Sequence, residues 1–129
     1  MPYKVSYDKK DKIVLVRVFG EATHEDHHSA QNDCFWLCKE NKCTRVLIDF
    51  HDLDTKRSSA GDCFDSGEYA AQADIAPSPR FAYVLPTDPK SIEDVKFAAT
   101  VAENRGRISS LFDTVKQAKH WLLESSVRT

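Results

Sequence analysis

Several features are scarce or missing in this chain of 129 residues. No apolar run approaches the length of a membrane span, so no membrane-spanning helix is expected. The first residues, Met1-Pro2-Tyr3-Lys4, lack the apolar segment of a secretory leader, and a cytoplasmic location is expected. Neither sign of charge dominates: 18 Lys and Arg against 20 Asp and Glu give a formal net charge of -2. That balance excludes a general affinity for nucleic acid or anionic membrane. There is no internal repeat, no low-complexity segment and no catalytic or cofactor motif. The four cysteines, Cys34, Cys38, Cys43 and Cys63, contain no CxxC pair. Three sulfurs within ten residues are compatible with a soft metal. Free thiols packed in or near the core are the preferred reading, and neither metal nor cofactor is expected.

What is present is the pattern of one globular domain spanning residues 1–129. Apolar residues make up 41% and charged residues 29%, enough to bury a core and keep a wet surface. Tyr3, Val5 and Tyr7 alternate with polar residues, as in a half-exposed strand near a sheet edge. Lys9-Lys10-Asp11-Lys12 is a charged turn, and Ile13 to Phe19 forms the second arm of an antiparallel hairpin. Thr23 is a good N-cap for a helix running to about Asn41, with Glu25 and Asp26 in its first turn. Its inward stripe is His27, Ala30, Cys34, Leu37 and Cys38, and Trp36 points away. Arg45 to Phe50 is apolar at consecutive positions, the mark of a strand covered on both faces.

A second helix is expected from Ser58 or Ser59, with Ala60, Phe64, Gly67, Ala71 and Ile75 on its buried face. Gly67 inside it permits close packing or marks a break. Arg80 to Leu85 is the fourth strand. Asp88-Pro89 opens a third helix with Ile92, Val95, Ala99 and Ala102 inward. Ile108 to Phe112 is a fifth strand. Asp113 or Thr114 caps a last helix whose apolar stripe is Val115, Ala118, Trp121 and Leu122. The order β-β-α-β-α-β-α-β-α implies an α/β fold. Its mixed five-stranded sheet has an antiparallel N-terminal hairpin and parallel later strands, with right-handed crossovers and helices packed on it.

Three groups of residues are candidate sites. Ser58 and Ser59, at a helix start beside Lys56 and Arg57, suit a phosphate or other anion, and equally suit an N-cap. Asp49, His51 and Asp52, with Asp54, crowd the end of the central strand and suit acid–base or metal chemistry, or ordinary turns. Trp36, Phe97 and Val101 are read as outward-facing apolar residues, and the last two share a helix face. They offer a partner surface, a homodimer interface or the wall of an apolar pocket. His24 and His28 are four apart at a helix start and are expected to face solvent, with His27 turned inward.

The segment Val18-Phe19-Gly20-Glu21-Ala22-Thr23, the Val46-Leu47-Ile48-Asp49 and Arg80-Phe81-Ala82-Tyr83-Val84 strands, and the ending Leu111-Phe112-Asp113-Thr114-Val115-Lys116-Gln117-Ala118-Lys119-His120-Trp121-Leu122 resemble the small stand-alone STAS-like proteins called SpoIIAA-like. The resemblance covers nearly the whole chain. It implies a fold related to anti-sigma-factor antagonists and to Sec14-type lipid-binding domains, which are mostly binding modules rather than enzymes. In the antagonists a serine at the matching helix start is phosphorylated by a partner kinase, and Ser58-Ser59-Ala60-Gly61 occupies that place here. Lys56-Arg57 stand before it where the antagonists have an aspartate. The expected function is therefore a non-enzymatic regulatory module with a protein partner, such as a kinase, or an anionic ligand. The alternatives are a carrier of a small apolar ligand or lipid, and an enzyme using Asp49, His51 and Asp52.

Overall fold

The computed structural model describes residues 2–57, 67–69 and 78–127, the last three of these by backbone alone. The strands are β1 (Tyr3–Asp8), β2 (Ile13–Val18), β3 (Arg45–Asp49), β4 (Arg80–Val84) and β5 (Ile108–Phe112), and the helices are α1 (His24–Asn41), α2 (Pro89–Asn104) and α3 (Val115–Val127). Residues 67–69, between β3 and β4, are also helical. The five strands form one sheet in the order β1-β2-β3-β4-β5. The first pair is antiparallel, with Val5 opposite Val16, and every later pair is parallel. The mixed α/β architecture expected from the pattern is the one observed. Among the described residues, no helix is long and apolar enough to cross a membrane.

Alternation sorts the strand residues onto two faces. Val14, Val16, Val18, Val46, Phe81 and Tyr83 point to one face, where they pack with Ala30, Cys34, Phe35 and Cys38 of α1 and Val95, Ala99 and Ala102 of α2. Ile13, Leu47, Ala82 and Val84 point to the other, where Ala118 and Leu122 of α3 cover them. Val46 and Leu47 of β3 are adjacent and both buried, as are Phe81 through Val84 of β4, so both strands are sealed on both sides. On the second face the cover stops short of the hairpin, so Lys4, Ser6 and Arg17 are exposed there.

Local chemistry sets the helix ends. The Thr23 side chain accepts from the Asp26 N–H, and the Asp26 carboxylate accepts from the Thr23 N–H at 2.8 Å, a reciprocal cap. Asp88 caps α2 by accepting from Lys90 and Ser91 N–H, with Pro89 in the first turn. Thr114, not Asp113, caps α3, since its hydroxyl accepts from Gln117 N–H at 3.2 Å. These caps hold the Asp26 and Asp88 carboxyls below their ordinary range, chiefly through the Thr23 N–H for the first and the Ser91 hydroxyl for the second.

Some expected placements are corrected. Val101 is not an outward residue: it is 6% exposed and packs against Gly67. Two neighbours cover α2, the sheet and the helical residues 67–69, so its buried arc is wider than one stripe. Phe97 and Trp36 are exposed as expected. Val115 is exposed and leaves the inner stripe of α3 to Ala118 and Leu122, with Trp121 half-buried. Phe35 joins the inner face of α1. The Ser58 and Ser59 helix start, together with Cys63, Phe64, Ala71 and Ile75, lies outside the described residues.

At Gly67 two backbone segments come close together. A Cβ built there falls 2.5 Å from the Ala98 carbonyl oxygen and 2.8 Å from Val101 Cβ. Backbone oxygen cannot swing aside as a flexible side chain can, so Gly67→Ala is expected to destabilise the fold by about 1–3 kcal/mol. Urea denaturation of the variant against wild type measures this. A second expectation concerns acid. Asp88 titrates lower when folded, so its contribution is complete above the unfolded value of 3.8 and is lost as pH falls through the lower folded value. Asp88→Asn, which keeps a capping side chain, should leave neutral-pH stability almost unchanged and flatten the loss below that pH. Denaturation midpoints taken across the acid range read it directly.

Candidate functional site

A cavity of about 330 Å³ lies between the first sheet face, α1 and α2. Val16, Ile48, Phe81 and Tyr83 of the sheet form part of its lining, with Ala30 and Cys34 of α1 and Val95, Ala99 and Ala102 of α2. The void follows from the residue types. Alanines and Gly67 stand where larger side chains would close the gap between the two helices. Volumes from about 300 Å³ are typical of small-molecule sites.

The floor is aromatic and sulfur-rich. Phe50, Tyr83 and Phe81 stack in sequence, with centroids 6.0 and 6.3 Å apart. Burial pushes the Tyr83 hydroxyl well above the ordinary phenol range, so it keeps its proton. Behind the floor the buried Arg107 places its guanidinium 5.9 Å from the Phe35 ring centre and 5.7 Å from that of Phe81. Cys34, Cys38 and Cys43 are free, buried thiols. The Cys34 thiol is pushed well up, first by its hydrogen bond with Cys38 and then by burial. Cys43 is pushed up by burial, and its sulfur sits 3.2 Å from both the Lys12 and Arg45 carbonyls. Among the described residues, no three acidic, cysteine or histidine side chains are grouped to hold a metal ion.

The rim is polar because it lies at the carboxyl ends of β2 and β3, where chain leaves the sheet. Glu21, His24, His27, Asp54, Thr55, Arg57 and Asp94 reach the cavity there. Gly20, with φ at 65°, turns the chain after β2. It donates to the Asp52 carbonyl and accepts from the Asp54 N–H, both at 2.9 Å, fastening the loop after β3 to the hairpin. The same loop is fastened to α2 through Thr55. Its N–H donates to the Ser91 hydroxyl at 2.9 Å, and its own hydroxyl donates to the Asp94 carboxylate at 2.6 Å. Lys90 donates to the Thr55 carbonyl at 2.6 Å and to Asp94 at 2.7 Å. Thr55 and Ser91 are both buried, so this knot is shielded from water.

The strand-end acids have mostly structural partners. Asp49 accepts from the His51 N–H at 2.9 Å, closing a turn, and Asp52 pairs with Arg17 at 2.8 Å across the loop. His51 is exposed. These three residues do not reach the cavity, whereas Asp54 does. Lys56 and Arg57 are exposed, with Arg57 Nε 3.7 Å from the Glu21 carboxylate. His24 and His28 are half-buried rather than solvent-facing. Their rings lie 4.2 Å apart, and His28 stacks on Tyr69 at 3.9 Å. His27 is half-buried and lines the cavity.

Sequence reasoning missed Thr55, Ser91 and Asp94. The usable signal was Ser91 itself, a polar residue one turn before the inward Val95. No protein-family model, no curated protein and no solved structure matches the chain.

The Thr55–Ser91 contact has a measurable weight. Ser91→Ala leaves the Thr55 N–H buried without its acceptor, a loss of about 1–3 kcal/mol. Equilibrium unfolding should show that cost. Hydrogen exchange should show faster opening at residues 53–57 with little change in the β2–β3 ladder.

Proposed function

We propose that the chain is a non-enzymatic, STAS-like binding module whose cavity takes a small, largely apolar ligand. The observation that carries this reading is the cavity itself. Its lining is mainly apolar, with polar side chains from the ends of β2 and β3 and the starts of α1 and α2, and Gln31 farther along α1. Burying such a ligand's apolar surface supplies binding free energy at about 25 cal/mol per Å². The rim residues Glu21, His24, Asp54 and Arg57 then orient its polar end. A single ring system or one short chain suits a site of this size. The arrangement favours binding over turnover, since the strand-end Asp49, His51 and Asp52 serve a turn and an ion pair outside the cavity.

A regulatory role toward a protein partner is a second reading. Its support is the exposure of Lys56 and Arg57 beside the cavity mouth, where ligand and partner would share one rim. On this reading the module acts in the cytoplasm and a bound ligand alters what the rim presents.

The test uses a neutral naphthalene-type fluorophore and two filling variants, Ile48→Phe and Ala99→Leu. Wild-type protein should bind one probe per chain with enhanced emission. Both variants should keep the fold by circular dichroism and weaken binding by about tenfold or more. Filling the void should also hold or raise the unfolding midpoint. Probe bound equally by wild type and both variants, or not bound by wild type, would overturn the reading. Native mass spectrometry of protein taken directly from cells then identifies the natural occupant.

A further inference from the structure

We infer that two copies of this chain pair through the outer edge of β5 to form one continuous ten-stranded sheet. This surface is separate from the cavity and does not depend on a ligand. β5 ends the sheet, and among the described residues no strand pairs with its outer side. Natural sheets usually guard such edges with charge, proline or bulges. The opposite edge is guarded: β1 carries Lys4 and Asp8 and runs into Lys9 and Lys10. β5 reads Ile108-Ser109-Ser110-Leu111-Phe112, with no charge, proline or glycine. Ile108 is 51% exposed and Leu111 36% exposed.

The backbone selects a register. The Phe112 carbonyl points toward β4, because it accepts from the Leu85 N–H at 2.9 Å. Backbone groups alternate along a strand, so those of Ser110 and Ile108 point the same way, and those of Ser109 and Leu111 point outward. An antiparallel pairing centred on Ser110 sets Ser109 opposite the partner's Leu111. Each such pair exchanges two hydrogen bonds, and the two-fold axis repeats them, so four outward groups on each copy are satisfied at once. The same register sets Ile108 opposite the partner's Phe112 as a non-hydrogen-bonded pair, where side chains approach most closely.

The side chains agree with that register. Ile108 and Phe112 lie on the sheet face covered by α3, and Phe112 meets Trp121 there with ring centres 5.7 Å apart. A groove between β5 and α3, lined by Phe112 and Trp121 and rimmed by Lys116 and His120, receives Ile108 of the second copy. Each copy supplies one such projection and one such groove, so the contact is self-complementary. The Arg107 guanidinium is turned inward over Phe35 and Phe81, so the exposed Asp113 faces no like charge in the antiparallel register.

Size-exclusion chromatography with light scattering, in reducing buffer, tests the pairing. Wild type at tens of micromolar is expected at twice the mass of one chain. Ile108→Lys combined with Leu111→Lys puts charge on the edge and should weaken association by about tenfold or more. Ser109→Pro removes an outward N–H that the β4 ladder does not use and should do the same. Both variants alter edge positions, so circular dichroism should match wild type. Hydrogen exchange should show Ser109 and Leu111 amides protected in wild type and fast in both variants. A wild-type protein that stays monomeric at hundreds of micromolar overturns the inference. So does a dimer that survives in both variants, or one that forms only without reductant.

Discussion

The burial of β3 on both faces is the constraint from which the rest of the architecture follows. Val46 and Leu47 are neighbours in the chain and point to opposite sides of the sheet, and neither reaches water. Two helical layers are therefore obligatory, and the chain supplies them unequally. On one side α1 packs over β1 and β2 while α2 lies toward β5, which leaves the space between them to be filled over the middle strands. On the other side, among the described residues, α3 alone covers the middle of the sheet. The cavity is a product of that unequal cover. Where Ala30 of α1 and Ala99 and Ala102 of α2 line the space over the middle strands, their short side chains leave room that longer ones would fill.

The loop after β3 completes the site for a different reason. It must leave the sheet, cross the end of β2 and reach the start of α2 with its peptide groups satisfied. Gly20 anchors one flank and the buried Thr55–Ser91 pair the other. With both flanks fastened, the polar rim stands in a fixed position over an apolar interior. Rigid framing of this kind lowers the ordering cost of binding.

Much of the fold was legible in the residues. The hairpin, the buried strand, the Thr23 and Asp88 caps and the outward Trp36 and Phe97 follow from alternation, capping chemistry and helical spacing, all of which act over a few residues. The misplaced Val101 and His28 share one cause. Both were read from their own helices, yet Gly67 and Tyr69, far along the chain, bury the first and stack on the second. An apolar cavity was expected against the Phe97 helix, but its lining was not legible, for the same reason. Alanines on a helix face read as core whether the opposing surface touches them or stops short. The acids at the end of β3 drew attention by their density, but density does not tell a turn-closing carboxylate such as Asp49 from one that faces a void such as Asp54.

The strand order carries a consequence for how the molecule is made. Each strand lies beside the one synthesised just before it, so a nascent chain can extend the sheet in step with its emergence, without reserving a slot for a later segment. The exception is the far layer. Leu47, Ala82 and Val84 are in place before the residues that shelter them, Ala118 and Leu122, which come more than thirty residues after Val84. During that interval an oily half-finished surface faces water, and a ribosome that stalls before residue 118 would release a product prone to clumping rather than a smaller working domain.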